Sequence, residues 1–502
     1  MIFNSIEFIA VFLPLAFLGF LLAARIGGRE TLPTYVAAVS ILFYGQFSVT
    51  LALILSASIL FNYSAGAAIL RARAGGGAGG ILAGAIVANI VALGYFKYTN
   101  FMIQIANDLG GAGLDHVSII LPVGISFYTF VQIGYLVDCY GGQVEERPSL
   151  ARYATFAAFF PAVTAGPLVL SREMLGQMNS WTAFEPRRIG VGLAVFAAGL
   201  FKKVVLADAI APFADASFDG VAAGMAIEAA TAWAGSLAYA LQLYFDFSGY
   251  SDMAIGLGLV FGLRLPLNFN SPFKATSISE FWRRWHMTMT RFFTTYLYTP
   301  MAVRGMRKVM GQKGGASRFK RYALTAGGPV LFTFVVAGIW HGAGWTFVVY
   351  GLIHGVALAI NHAWREFKMP AISPLFGWAL TMGVVVSGLV VFRAPDLATA
   401  VAIWTEMWTF GTLGPATGTV VEIDLISAAA FILVLGAVVL LMPNTQELTG
   451  SDRVSSDDVP TGSLPVGLRW APTPGWAVVA GLVLVIGIGK LGADSSFLYY
   501  QF

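Results

Sequence analysis

An all-α polytopic membrane protein is the fold class this sequence predicts, and three observations predict it. The chain of 502 residues is 57% hydrophobic and 11% charged, with mean hydropathy +0.74. A soluble globular protein carries about 25% charged residues, so this chain has too little polar surface to face water on all sides. Apolar runs of roughly 20 residues, long enough to cross a bilayer as helices, recur from Ile6 to Leu491. Those runs are continuous instead of alternating in polarity, which excludes a transmembrane β-barrel.

In order, the runs predict helices over 6–24, 31–47, 50–70, 80–98, 118–138, 153–170, 189–207, 229–247, 323–341, 345–363, 374–393, 424–442 and 474–491. With Gly and Pro interrupting several, this makes roughly 11–13 membrane segments, some of them re-entrant. The first run opens with Glu7 and meets no Lys or Arg before Arg25. A secretory signal has a basic start, so this reads as a retained first span with its N-terminus outside. Organisation reads as one membrane domain over 1–502: N-terminal helices (6–116), a core (117–364) and C-terminal helices (365–502).

Charge between the runs orients them. Cytoplasmic loops are enriched in Lys and Arg. The stretch 304–321 holds Arg304, Arg307, Lys308, Lys313, Arg318, Lys320 and Arg321 and no acid, so it is predicted to face the cytoplasm. Arg71, Arg73, Lys202 and Lys203 fit the same side. The stretches 208–228 and 444–473, richer in acid, read as outside loops. The run AGGGAGG at 74–80 lacks the Gly-Lys-Ser/Thr of a P-loop and reads as a flexible loop. The single cysteine, Cys139, precludes an internal disulfide and reads as a small core residue.

Hydropathy stops accounting for the sequence between Tyr244 and Pro300. YFDFSGYSDMAIG (244–256) sets Asp246 and Asp252 in apolar surroundings. Ionisable residues at membrane depth usually face a cavity or a partner; bracing of a broken helix is the plainer alternative. LRLPLNFNSPF (263–273), with Pro266 and Pro272, reads as an irregular connector. In SISEFWRRWHMTMTRFF (277–293), Ser277 and Glu280 form a capping-box signature that starts a helix near Ile278. Projected as one helix at 100° per residue, Ile278, Phe281, Trp282, Trp285, Met289, Phe292 and Phe293 share a stripe. Arg283, Arg284, Arg291 and Glu280 lie opposite, and His286 sits at the stripe's edge. An interfacial helix with snorkelling arginines explains Trp and Arg but not an inward histidine.

AGIWHGAGWTFVVYGLIHGVALAINH (337–362) is the second such segment. Gly338, Gly342, Gly344, Gly351 and Gly355 permit close approach of backbone or ligand, and His341 lies among them. A neutral imidazole there is a sensible general base. A hydrogen-bonded core histidine is the alternative. His354, about 220° further around a continuous helix, need not share that site; His362 and His116 read as interfacial. No Cys/His cluster has zinc spacing, and no Gly-x-Ser-x-Gly elbow occurs.

FWRRWH (281–286) followed some fifty residues later by WHG (340–342) resembles the membrane-bound O-acyltransferase superfamily, MBOAT, and most closely its bacterial branch of alginate O-acetylation membrane proteins. LPVGISFYTFVQIGYLVDCY (121–140), FFPAVTAGPLV (159–169), YFDFSGYSDMAIGLG (244–258), LPLNFNSPF (265–273) and FLYYQF (497–502) extend the resemblance over essentially the whole chain. It implies an MBOAT-type fold with a central passage and a histidine deep inside, His341, with His286 as the second site residue. One departure is LVLSREM (168–174), where Arg172 stands for an arginine looked for soon after the Gly-Pro pair.

What the resemblance implies is O-acyl transfer, most often of acetyl, at the bacterial inner membrane. The donor is a cytoplasmic thioester, acetyl-CoA or another, and the acceptor belongs to an exported polysaccharide. Partners implied are a periplasmic or membrane-anchored esterase-like acetyltransferase, the polysaccharide export machinery and lipid; no nucleic acid, no permanently bound cofactor and no metal enter. His341 is expected to take the acceptor hydroxyl proton, and His286 to hold substrate or polarise the acyl carbonyl. Arg283, Arg284, Trp282, Trp285, Trp340, Asp246 and Asp252 are expected on the substrate or donor side. The alternatives are D-alanyl or other acyl transfer to a cell-envelope polymer, or, in another class, a transporter of small solutes or lipid. A transporter suits the intramembrane acids but gives WRRWH and WHG no joint role.

Overall fold

The computed structural model of this chain describes residues 2–312, 315–411, 418–450, 470–492 and 497–498. Among them no β-strand forms beyond one bridge between Ala226 and Val420. Helices dominate because a segment in lipid must satisfy every backbone N–H and C=O internally. Along the chain they are α1 (Glu7–Ile26), α2 (Thr31–Gly45), α3 (Val49–Gly75), α4 (Ala78–Gly110), α5 (Ile125–Gly141), α6 (Leu150–Ala158), α7 (Pro186–Ala222) and α8 (Ala229–Val260). There follow α9 (Ile278–Trp282), α10 (Met287–Phe293), α11 (Arg318–His341), α12 (Trp345–Glu366), α13 (Pro374–Arg393), α14 (Leu397–Thr409), α15 (Leu425–Leu441) and α16 (Pro474–Gly489), with shorter helical pieces between some of them. Among the described residues seven helices are long and apolar enough to cross a membrane: α1, α3, α4, α7, α11, α12 and α13. Helices α2, α15 and α16 are apolar but shorter.

Several elements depart from the sequence reading, each for a physical reason. The expected span 153–170 is only the short α6; the chain then runs without helix from Phe159 to Leu170. Pro161 and Pro167 cannot continue a helix, and that irregular backbone is almost wholly buried, as non-helical chain at membrane depth must be. The expected 208–228 loop is largely helix, because α7 continues to Ala222. Helix α8 is unbroken through Asp246, Gly249 and Asp252. Gly249 serves close packing: a Cβ there would lie 2.7 Å from the Gly199 carbonyl oxygen, and one on Gly199 would lie 2.5 Å from that of Gly249. Helix α14 went unforeseen, although Asp396 caps it by accepting from Thr399 N at 2.7 Å. The basic stretch 304–321 is helical at both ends. Its Lys313 lies outside the described residues, as do Asp452, Asp457, Asp458 and most of FLYYQF.

The chain forms two compact units, one of residues 1–204, 249–267 and 445–501, the other of 205–248 and 268–444 together with 502. In the first, Phe8, Phe43, Phe160 and Phe261 build an aromatic core, with Phe43–Phe160 at 5.6 Å and Phe160–Phe261 at 5.3 Å between ring centres. Asp252, 2% exposed, is held there by Lys202 Nζ at 2.7 Å and Gln446 Nε2 at 2.7 Å. Removing one partner of a buried pair leaves an uncompensated charge, at a cost of about 3–5 kcal/mol. Asp252→Leu is therefore expected to lower the detergent-solution Tm and the yield of monodisperse protein. Asp252→Leu with Lys202→Met, which removes both charges, should recover much of the loss. A wild-type melting curve for the single variant would rule out this bracing role.

Candidate active site

The second unit contains both histidines singled out by the sequence. The 277–293 stretch begins a helix at Ile278 as expected, with Ser277 Oγ accepting from Glu280 N at 3.2 Å; the Glu280 half of the capping box is displaced, its Oε2 accepting from Thr276 N at 2.9 Å, one residue before the N-cap. It does not continue as one helix. Helix α9 ends at Trp282, and His286 takes the left-handed conformation, φ 44° and ψ 51°, before α10 begins. A common helical projection for 278–293 is thus corrected. The cause lies in the Pro-bounded connector that precedes it. Asn270 N donates to Arg284 O at 2.9 Å, and Met287 N donates to Asn268 O at 2.9 Å. Connector and turn clamp each other, using backbone groups that a continuous helix would need for itself. Histidine is among the side chains that tolerate positive φ; holding it there costs about 1–3 kcal/mol.

His286 is fully buried, with Nδ1 2.9 Å from Asn268 Oδ1. Its ring meets Phe247 of α8 edge-on at 4.8 Å, with Trp340 at 6.0 Å. His341 ends α11 and is 6% exposed. Its ring stands edge-on to Phe392 at 5.3 Å and Tyr350 at 5.8 Å. The centres of the two imidazoles are 6.4 Å apart. Burial lowers the His286 pKa to about 3, so that ring is neutral at any working pH.

The glycines around His341 pack helices. A Cβ on Gly338 would lie 2.3 Å from Phe347 O, and one on Gly351 would lie 2.4 Å from Phe334 O. Their absence lets α11 and α12 touch backbone to backbone and fixes the end of α11, where His341 sits.

Trp340, 3% exposed, has its ring centre within reach of both histidines, at 5.0 Å from His341. Trp285 is buried against Phe269 and Phe281, and Trp282 against Phe334 and His354; both pack the turn that carries His286. Arg284 is committed to Glu280, with Nη2 2.8 Å from Oε1, and its Nη1 donates to Asn270 O at 3.1 Å. Arg283 is exposed. Asp246, 1% exposed, precedes Phe247 on α8 in this unit. Asp252 belongs to the other unit and its ion pair with Lys202. Sequence reasoning missed Asn268, Thr288, Tyr350, Phe247 and Phe392. Only Asn268 carried a legible signal, a polar residue in a proline-bounded connector leading to the histidine turn.

Chemically, two buried imidazoles in an aromatic enclosure could offer ring nitrogens to a hydroxyl substrate. The chain matches the family model described as MBOAT, membrane-bound O-acyltransferase family, over residues 141–401. It is 36% identical over 440 residues to a peptidoglycan O-acetyltransferase of Helicobacter pylori, covering 81% of this chain and 80% of that relative. It is 34% identical to a probable alginate O-acetylase AlgI of Azotobacter vinelandii over the full length of both. A teichoic acid D-alanyltransferase of Streptococcus thermophilus is 26% identical over 53% of this chain and 65% of its own.

Proposed function

This chain belongs to the membrane-bound O-acyltransferase family and is a multi-pass membrane acyltransferase, and we propose that it moves acetyl groups from a cytoplasmic thioester to O-acetylate an exported polysaccharide. Family membership sets aside the transporter alternative. The observation that carries the reading is the pairing of His286 and His341, buried with ring centres 6.4 Å apart. His341 takes the proton of an acceptor hydroxyl as its oxygen attacks the thioester carbonyl. The tetrahedral intermediate expels the thiolate, which recovers that proton from His341. Acetyl is favoured over D-alanyl because relatives named for O-acetylation match more of the chain at higher identity.

Exposed Arg283 suits the phosphates of acetyl-CoA or a phosphopantetheine carrier, since a guanidinium binds phosphate in bidentate fashion. Arg284, tied to Glu280, braces the turn instead. The basic 304–321 stretch supports a cytoplasmic position for that stretch, and a bacterial inner membrane fits this reading. A periplasmic or membrane-anchored acetyltransferase and export machinery receive the group.

The test uses the full-length protein in sealed proteoliposomes, with thioester carrying labelled acetyl supplied from one side and a soluble polysaccharide acceptor from the other. Expected is release of free thiol that depends on His341 and on donor at the face bearing 304–321. Turnover of a D-alanyl carrier with none of acetyl thioesters would overturn the acetyl reading.

A further inference from the structure

We propose that Asn268 is a positioning residue that fixes His286 as the Nδ1–H tautomer, so that the ring presents a basic lone pair at Nε2. The inference rests on the reading that His286 belongs to the reaction site, and it assigns the chemistry of that ring.

The hydrogen-bond directions follow from one oxygen. Asn268 is fully buried. Three groups converge on its Oδ1: His286 Nδ1 at 2.9 Å, Thr288 Oγ1 at 2.9 Å and Thr288 N at 3.4 Å. A backbone N–H can only donate, and an amide nitrogen of asparagine cannot accept. The atom facing Thr288 N is therefore the carbonyl oxygen, which settles the orientation of the amide. A carbonyl oxygen only accepts, so His286 Nδ1 carries the proton. In a neutral imidazole the other nitrogen then holds the lone pair, and burial keeps this ring neutral.

The same residue satisfies the start of α10 from outside. Its backbone oxygen takes Met287 N, and its side chain takes Thr288 N, two of the donors a helix N-terminus leaves without an intrahelical partner. Helix capping and tautomer selection are thus one interaction. With His286 held at positive φ, the side chain is fixed at both backbone and ring.

This revises the role expected for His286. A ring with its lone pair at Nε2 does not donate there, so it does not polarise an acyl carbonyl. It accepts from a hydroxyl, either orienting the acceptor or sharing in its deprotonation with His341.

The other titratable groups near the ring are His341, on the helix end packed against it, and Asp246, beside Phe247 on α8. Arg284 and Arg291 flank it along its own segment. All of them are unchanged in the variants chosen. The chain has five histidines, so nitrogen-15 NMR of the full-length, histidine-labelled protein in nanodiscs is tractable, with His286→Gln giving the assignment. Wild type should show a protonated-type Nδ1 and a lone-pair-type Nε2 for His286. Asn268→Leu should lose that preference and lower kcat at least tenfold with donor KM little changed. Asn268→Asp places a carboxylate against Nδ1, which favours the imidazolium. It should bring an acid limb up into the pH profile of kcat/KM by more than one unit.

A protonated Nε2 in wild type, or an unaltered His286 spectrum in Asn268→Leu, would overturn the proposal. So would an Asn268→Asp pH profile that overlays wild type. Since the NMR readout needs no turnover, a correct tautomer with a fully active His286→Ala would leave the assignment standing and remove His286 from the reaction site.

Discussion

His341→Ala is expected to abolish acyl transfer while the protein remains inserted and folded. General-base catalysis is worth about 10²–10⁴-fold. His341, the base in the proposed reaction, ends α11, its backbone fixed by the Gly338–Gly351 contact and its ring flanked by Phe392 and Tyr350. Removing the ring takes away the proton acceptor without touching the helix contact. Monodispersity and detergent melting establish that the variant is folded, and labelled-acetyl transfer from thioester gives the rate. His341→Gln, which keeps volume and hydrogen bonding but has no basic nitrogen, should be equally inactive. Activity above a tenth of wild type in either variant would exclude His341 as the base.

His286→Ala should lose activity by about 10²-fold or more and, unlike His341→Ala, also lose stability. The ring fills a fully buried space against Phe247 and anchors to Asn268; its loss leaves Asn268 Oδ1 with fewer donors in a buried site, at about 1–3 kcal/mol. His286→Gln, whose side-chain oxygen still accepts from a hydroxyl, should retain a measurable fraction of the rate and more of the melting temperature. The separation of Gln from Ala in rate is the informative result. Two variants equally and fully active would reduce His286 to packing.

Much of this was legible in the sequence, and for definite reasons. Composition and run length determined an all-α membrane protein, because an apolar chain in lipid has few ways to satisfy its backbone. Helix α13 was bounded at the same residues, 374–393, because Pro374 and Arg393 mark the ends of an uninterrupted apolar run. Ser277 and Glu280 marked the start of α9 because capping is local chemistry. His286 and His341 were drawn from WRRWH and WHG as residues that hydropathy left unexplained.

What local pattern could not supply was anything set by a partner distant in sequence. Asp246 and Asp252 look alike as intramembrane acids, yet Asp252 answers to Lys202 and Gln446, the latter from the far end of the chain. Arg283 and Arg284 look interchangeable, yet only Arg284 is tied to Glu280 and the connector. The break at His286 is invisible to a periodic projection. It arises because the backbone of Asn268 and Asn270 competes for the hydrogen bonds of the turn. By itself the sequence determined which residues could carry the chemistry. The tertiary structure alone decided which imidazoles meet and which polar groups face their ring nitrogens, because both depend on groups that folding brings together.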